Sequence, residues 1–286
     1  QIDMLSGGFP CQSFSFAGKK LGFNDPNEHG ILFFEFARAI KEINPKIFVA
    51  ENVRGLLSHD NGDTLKIIKE TIDELGYYLV EPKILNASYY KVPQKRERLF
   101  LIGIRKNLAQ HIPFKWPEEY ERILNLKDGL KAGILYPTDV PVSEGQTYSK
   151  SKYDVMKQIP AGGYWKHLPD NLQREYMKSS YFSSGGKTGM ARRLSWDEPC
   201  LTLTCSPAQK QTERCHPEET RPLTIREYAR IQTFPDDWIF EGSKTAQYKQ
   251  IGNAVPVNLA YAIGCSLIQF LDKLNQVNEN LNKKLI

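Results

Sequence analysis

Three short segments carry residue types that can do chemistry. Gly7-Gly8-Phe9-Pro10-Cys11-Gln12-Ser13 presents a cysteine in a loop stiffened by Pro10, with two glycines that permit a tight turn or a close ligand approach. A cysteine in positive surroundings ionises and becomes a nucleophile. A cysteine after proline also serves as a small buried hydrophobe, and this segment by itself leaves both readings open. Ala50-Glu51-Asn52-Val53 puts a carboxylate after an apolar run, where it either faces a cleft or caps a solvated turn. In Gln94-Lys95-Arg96-Glu97-Arg98, strand alternation sets Gln94, Arg96 and Arg98 on one face and Lys95 and Glu97 on the other. Guanidinium groups on one face suit a phosphate or a base carbonyl; the alternative is a charged strand edge.

The elements that must position these residues are legible in the apolar pattern. Ile2 to Leu5 reads as a strand delivering the cysteine loop, which is where open α/β sheets place their active sites. Phe33, Phe36, Ile40 and Ile43 share a helical face within Leu32 to Ile43, and Pro45 ends that helix. Ile47 to Ala50 reads as a buried strand. Leu65, Ile68, Ile72 and Leu75 form a second helical stripe closed by Gly76. Tyr77 to Leu85 and Arg98 to Ile104 read as strands. This alternation predicts an α/β fold with a largely parallel sheet over residues 1–112.

Prolines and paired glycines break the pattern after that, so residues 113–245 are expected to form a smaller, irregular domain, with Cys200 to Thr204 its best strand. Thr224 and Glu227 make a capping box, predicting a helix from Ile225 to Gln232. A long amphipathic helix from Val257 to Leu274, carrying Leu259, Ile263, Leu267, Phe270 and Leu274, is expected within a closing segment, 246–286, that returns to the first domain. The last dozen residues are expected to fray.

Composition narrows the class. The 286 residues suffice for one large or two modest cores, and a net charge of +5 is compatible with a polyanionic partner. No apolar run is expected to reach membrane-spanning length. The five cysteines are odd in number and scattered, which argues against a disulfide framework and for a reducing cytoplasm. Cys200, Cys205, Cys215 and His216 fit no familiar zinc spacing, so no metal is expected.

Taken together and in this order, the segments resemble the motifs of the DNA (cytosine-5) methyltransferase family. Gly-Phe-Pro-Cys-Gln around Cys11, Glu51-Asn52-Val53, and Gln94 with Arg96 and Arg98 look like its catalytic motifs. Arg221 to Gln232 followed by Phe234-Pro235-Asp236 resembles its late structural motif, and Gln250-Ile251-Gly252-Asn253-Ala254-Val255-Pro256 its final one. The resemblance implies a partial Rossmann-like S-adenosylmethionine-dependent methyltransferase fold. It further implies methylation of carbon 5 of a flipped cytosine in duplex DNA, within a restriction-modification system. Cys11 would be the nucleophile, Glu51 the group on ring N3 and the amine, and Arg98, with Arg96 as second choice, the holder of the base carbonyl or phosphate. Pro10, Leu32, Asn253 and Ala254 would line part of the S-adenosylmethionine site. Gln12, Ser13 and Ser15 would lie in the loop that closes over DNA, with Gly18 and Gly22 as hinges.

The family's Phe-x-Gly-x-Gly loop and ribose-holding acids, which normally precede the cysteine loop, do not stand before Cys11. The expectation is therefore weak cofactor binding by this polypeptide alone, explained either by a truncated gene or by a complementing N-terminal polypeptide. The alternative to an enzyme is an inactive fragment or DNA-binding subunit of a split methyltransferase. A tRNA-directed relative is a further alternative, disfavoured by the long middle region. A cysteine hydrolase is disfavoured because only His29 lies near Cys11. The middle region corresponds to the family's target-recognition region. There Arg192, Arg193, Gln209, Gln211 and Arg214 suit guanine or adenine edges, Gln94 is placed with them, and Lys210 suits phosphate.

Overall fold

The computed structural model describes residues 2–9, 31–109 and 112–284. In chain order the elements are β1 (Met4–Gly8), α1 (Ile31–Ile43), β2 (Ile47–Val53), α2 (Asp63–Glu74), β3 (Tyr77–Leu79), β4 (Lys83–Asn86), β5 (Gln94–Lys95), β6 (Glu97–Arg105), α3 (Lys106–Ala109), α4 (Leu126–Leu130), α5 (Lys150–Met156), α6 (Asp170–Met177), β7 (Cys200–Leu201), α7 (Ile225–Ile231), α8 (Lys244–Asn253) and α9 (Val257–Lys284). They divide into two units. The first comprises Gln1–Asn86, Glu97–Glu118 and Ala262–Ile286; the second comprises Ala87–Arg96 and Glu119–Tyr261. The expected boundaries at 112/113 and 245/246 shift accordingly: residues 87–96 and all of α8 belong to the second unit.

The first unit is α/β, as expected, but its sheet is mixed. β1 and β2 run parallel, whereas β2, β3 and β4 all pair antiparallel with β6. The predicted strand from Tyr77 to Leu85 is broken near Pro82 into β3 and β4, and both halves lie beside β6. Segments this close in sequence pair antiparallel, because a parallel neighbour needs a crossover of about a dozen residues.

Phe33 and Ile40 from α1, Phe48 and Ala50 from β2, Ile68 and Ile72 from α2, and Leu99 and Leu101 from β6 are buried together. Full burial of such a side chain contributes about 2 kcal/mol. Aromatic packing sets where glycine is required. Phe36 and Phe48 meet edge to face at 5.7 Å. A Cβ at Gly7 would stand 2.6 Å from the Phe36 ring, so Gly7 makes room for α1 inside a regular strand rather than forming a turn. At Gly103 the clash is worse, 2.0 Å from Phe48 Cε1.

The second unit is less irregular than its composition suggests, since α4, α5 and α6 all form within it. β7 stops at Leu201 rather than Thr204, paired parallel with β5. The capping box of α7 forms as predicted: Thr224 N donates to Glu227 Oε2 at 2.7 Å, and Glu227 N donates to Thr224 Oγ1. Arg221 clamps the same carboxylate through two bonds of 2.8 and 2.9 Å. Arg230, fully buried, grips Asp236 at 2.9 and 2.6 Å, and this guanidinium holds the Asp236 carboxyl below the usual range.

α9 runs on to Lys284, so the frayed end expected there is helical. By length and composition the helical span Lys244–Val277 is apolar enough to cross a membrane, which corrects the expectation that no stretch is. Leu259, Ile263, Leu267, Phe270 and Leu274 are all buried, as the amphipathic pattern requires.

Gly103→Ala is expected to lower folding stability by about 1–3 kcal/mol, the usual cost of overpacking a dense core. Urea unfolding checks this, and an unchanged midpoint would show that the Phe48 ring has room to move.

Candidate active site

Strand geometry brings Glu51 and Arg98 together. On β2, Glu51 and Val53 point to the same side of the sheet, and Val53 is paired with Arg98 of β6. Arg98 is thus the diagonal neighbour of Glu51, within reach of its long side chain. Arg98 Nε lies 2.7 Å from Glu51 Oε1, with the two side chains 13% and 21% exposed. Burial depresses the pKa of the Arg98 guanidinium, and the Glu51 carboxylate pulls it back up. Arg98 Nη1 also donates to Glu97 O at 2.8 Å. The pair is neither sealed in the core nor freely solvated, a setting in which charges act strongly on a polar ligand.

The parallel register of β1 and β2 sets Gly8 directly beside Glu51. A Cβ at Gly8 would stand 3.5 Å from Glu51 Oε2, so glycine leaves the carboxylate uncovered by a side chain from β1. Asn52, on the opposite side of β2 and buried, stands out in the sequence only as part of a motif. Its Oδ1 accepts from Val53 N at 2.8 Å, which turns its Nδ2 toward Phe9 O, at 2.7 Å. The carbonyl immediately before Pro10 is therefore tied to the residue next to Glu51. A polar amide inside an otherwise apolar strand was the available signal, since a buried amide must find partners. Pro10, Cys11, Gln12, Ser13, Ser15, Gly18, Gly22 and His29 lie outside the described residues.

Arg96 and Gln94 do not share the face expected of them. β5 ends at Lys95, β6 begins at Glu97, and the two strands join different sheets, so alternation does not carry across Arg96. Arg96 is fully buried in the second unit, donating to Leu203 O at 3.0 Å and Gly252 O at 2.8 Å. Gln94, equally buried, donates to Gln232 Oε1 at 2.9 Å and accepts from Leu203 N at 3.0 Å. Gln232 in turn donates to Ile251 O at 2.7 Å and Ala254 O at 3.2 Å. Gly252 completes the brace, because a Cβ there would meet Thr204 O at 2.4 Å. These groups fasten backbone; a buried guanidinium engaged with two carbonyls does not reach a base.

Of the residues expected to line a cofactor site, Leu32 is 52% exposed on the first turn of α1, in the first unit. Asn253 and Ala254 are in the second unit, at the end of α8. Asn253 is exposed and accepts a bond from Cys205 Sγ at 3.3 Å, and Ala254 is half-buried.

Two of the expected base-reading residues are also corrected. Arg193, 4% exposed, donates to the carbonyls of Met156, Ile159, His216 and Glu219 and to Thr220 Oγ1. Arg214, also 4% exposed, donates to Glu213 O and Thr202 O. Both are engaged inside the protein and closed to solvent, as is Gln94. Arg192 is half-buried and paired with Glu198 at 3.3 Å. Gln209, Lys210 and Gln211 remain exposed. Among the described residues no group of three or more His, Cys, Asp or Glu side chains is placed to hold a metal ion. His216 instead accepts from the backbone N–H groups of Glu218 and Glu219 through Nδ1.

A family model for C-5 cytosine-specific DNA methylase matches residues 1–269. The chain belongs to the C-5 cytosine-specific DNA methylase family. It is 65% identical to the Type II methyltransferase M.Eco47II of Escherichia coli, over 96% of this chain and 66% of that protein. It is 54% identical to the Type II methyltransferase M.Sau96I of Staphylococcus aureus, over 96% of this chain and 62% of that one. The chain thus spans just under two thirds of the length of these relatives. A crystal structure of a prophage-encoded DNA modification methyltransferase candidate from E. coli superimposes with a TM-score of 0.63 at 26% identity, covering 95% of this chain and 80% of that one. The α/β fold with its mixed sheet is that of the methyltransferases.

Arg96→Met is expected to cost on the order of 3 kcal/mol, because Leu203 O and Gly252 O lose charged donors in a buried setting. Urea unfolding of the variant measures it. A loss under about 0.5 kcal/mol, the level of an ordinary surface change, would mean that the brace is dispensable.

Proposed function

We propose that the protein methylates carbon 5 of a cytosine turned out of duplex DNA, through a transient bond to Cys11, as the modifying arm of a restriction-modification system. The observation that carries this reading is the Glu51–Arg98 pair at the end of β2, beside the glycine from which the chain runs into Pro10 and Cys11. Family membership supplies the chemistry to which that geometry is suited.

Carbon 5 of cytosine is a weak nucleophile. Addition of the Cys11 thiolate to carbon 6 breaks the 5,6 double bond and moves its electron pair toward carbon 5. Glu51 engages ring N3 and the exocyclic amine, where charge develops during that addition. Arg98 holds the base carbonyl and, through its bond to Glu51, keeps the carboxylate aimed. Once carbon 5 carries the methyl group, its proton is lost, the carbon–sulfur bond breaks and the ring regains its double bond. The target base must leave the stack first, at a cost of a few kcal/mol, which pocket contacts offset.

S-adenosylmethionine supplies the methyl group from a positively charged sulfur. Within the first unit, the exposed aliphatic side chain of Leu32 suits such a ligand. Duplex DNA is the partner, in keeping with the chain's net charge of +5.

Duplex DNA carrying 5-fluorocytosine tests the covalent step, because fluorine at carbon 5 cannot leave as a proton does. With S-adenosylmethionine present, the intact protein is expected to form an adduct that survives denaturing electrophoresis, and Cys11→Ser to form none. Glu51→Gln is expected to slow turnover on ordinary DNA by roughly 10²–10⁴-fold, the usual range for a proton-handling group. An adduct in Cys11→Ser, or full turnover in Glu51→Gln, would contradict the assignment.

A further inference from the structure

The second unit contains a buried ionic cluster that the methyl-transfer chemistry does not use. The Glu213 side chain is entirely buried and forms an ion pair with Lys152 of α5, whose side chain is 20% exposed. Tyr176 of α6 donates its hydroxyl to the other carboxylate oxygen at 2.7 Å. Lys152 Nζ also donates to Ala208 O at 2.6 Å and lies 5.3 Å from the centre of the Tyr148 ring. Burial pushes the Glu213 carboxyl up, and Lys152 draws it back down.

A pair of this kind is poor at stabilising a fold. Its desolvation consumes most of the attraction, and apolar residues of the same size commonly serve as well or better. Its best-attested use is to fix register, and here it has something to fix. Glu213 directly follows the turn carrying Gln209, Lys210 and Gln211, and Ala208 directly precedes it, so the cluster holds both ends. Shorter bonds stiffen the turn itself: Thr212 N donates to Gln209 O at 3.0 Å, Arg214 N to Pro207 O at 2.9 Å, and the Thr204 and Thr212 hydroxyls lie 3.0 Å apart. Lys210 folds back, donating to Tyr176 O with its ammonium 4.8 Å from that ring's centre. Gln209 and Gln211 are exposed on a turn with little freedom to shift, Gln209 Oε1 accepting from Thr212 Oγ1 at 3.4 Å.

Base reading demands this. An amide recognises adenine through two bonds to one base edge, and a displacement of about half an ångström forfeits them. We infer that Lys152, Glu213 and Tyr176 are positioning residues for DNA sequence selectivity, holding the Gln209–Gln211 turn in place to read base edges. This rests on the proposed activity on duplex DNA. Lys210, tied to α6, braces the turn instead of meeting phosphate.

The test uses the intact protein expressed in cells free of other cytosine methylation, with bisulfite sequencing of their DNA. The readout is the ratio of methylation at the preferred site to that at sites differing by one base. Glu213→Gln and Lys152→Met are each expected to lower this ratio about tenfold, the scale of one base contact, while turnover at the preferred site falls far less. Tyr176→Phe removes a single hydroxyl and is expected to lower the ratio by a few-fold; it keeps the test open if either charge variant fails to fold. Folded variants that lose thermal stability but keep the wild-type ratio would show a merely structural cluster and overturn the inference. A wild-type protein that methylates no cytosine would overturn it too, by removing the activity beneath it, and the two failures are told apart by the wild-type lane alone.

Discussion

The parallel pairing of β1 with β2 is the constraint on which the site depends. It places Gly8 directly beside Glu51. Antiparallel pairing of β2 with β6 then supplies Arg98 as the diagonal partner. A slip of one residue in either pairing would turn the functional side chains to the opposite face of the sheet. The aromatic packing beneath resists such a slip, since Phe36 and Phe48 fit only where Gly7 and Gly103 leave space. The Glu51–Arg98 pair and the core packing are therefore set by the same register.

The arginines divide by environment. Arg96, Arg193, Arg214 and Arg230 are almost wholly closed to solvent, their donors directed mainly at backbone carbonyls, with threonine hydroxyls and one carboxylate besides. Such groups are expensive to desolvate and persist because each joins segments far apart in sequence. Arg96 illustrates this, tying the residue before β6 to Leu203 and to Gly252 of the last motif. Arg98, two residues on, keeps part of its surface exposed and pairs with an acid that is itself partly exposed. Neighbours in sequence thus carry different loads: one is buried against backbone carbonyls and the other keeps a partly exposed ion pair.

Much of this was legible in the sequence. The helix from Leu32 to Ile43, the buried run from Ile47, the stripe closed by Gly76 and the capping box at Thr224 each follow from local rules. The nearness of Glu51 and Arg98 came from the family resemblance rather than from local rules, and the structure sets the two side chains 2.7 Å apart. What local rules miss is where a strand stops. Alternation across Gln94, Arg96 and Arg98 presumes one continuous strand, and the change of sheet at Arg96 breaks it. Arg193 and Arg214 looked like base readers because their type suits bases; only three-dimensional packing shows the carbonyls that claim them. Asn52 reads only as part of a motif and Glu213 not at all for the same reason, since the value of a buried polar group depends on partners distant in sequence.

The central claim is that Glu51 and Arg98 act on the base as one unit. A double-mutant cycle on single-turnover methylation rates tests it directly, using Glu51→Gln, Arg98→Met and their combination. Coupled action predicts that the double variant is no more than about threefold slower than the slower single variant. A double variant whose loss equals the product of the two single losses would show that the residues act independently, and would contradict the account.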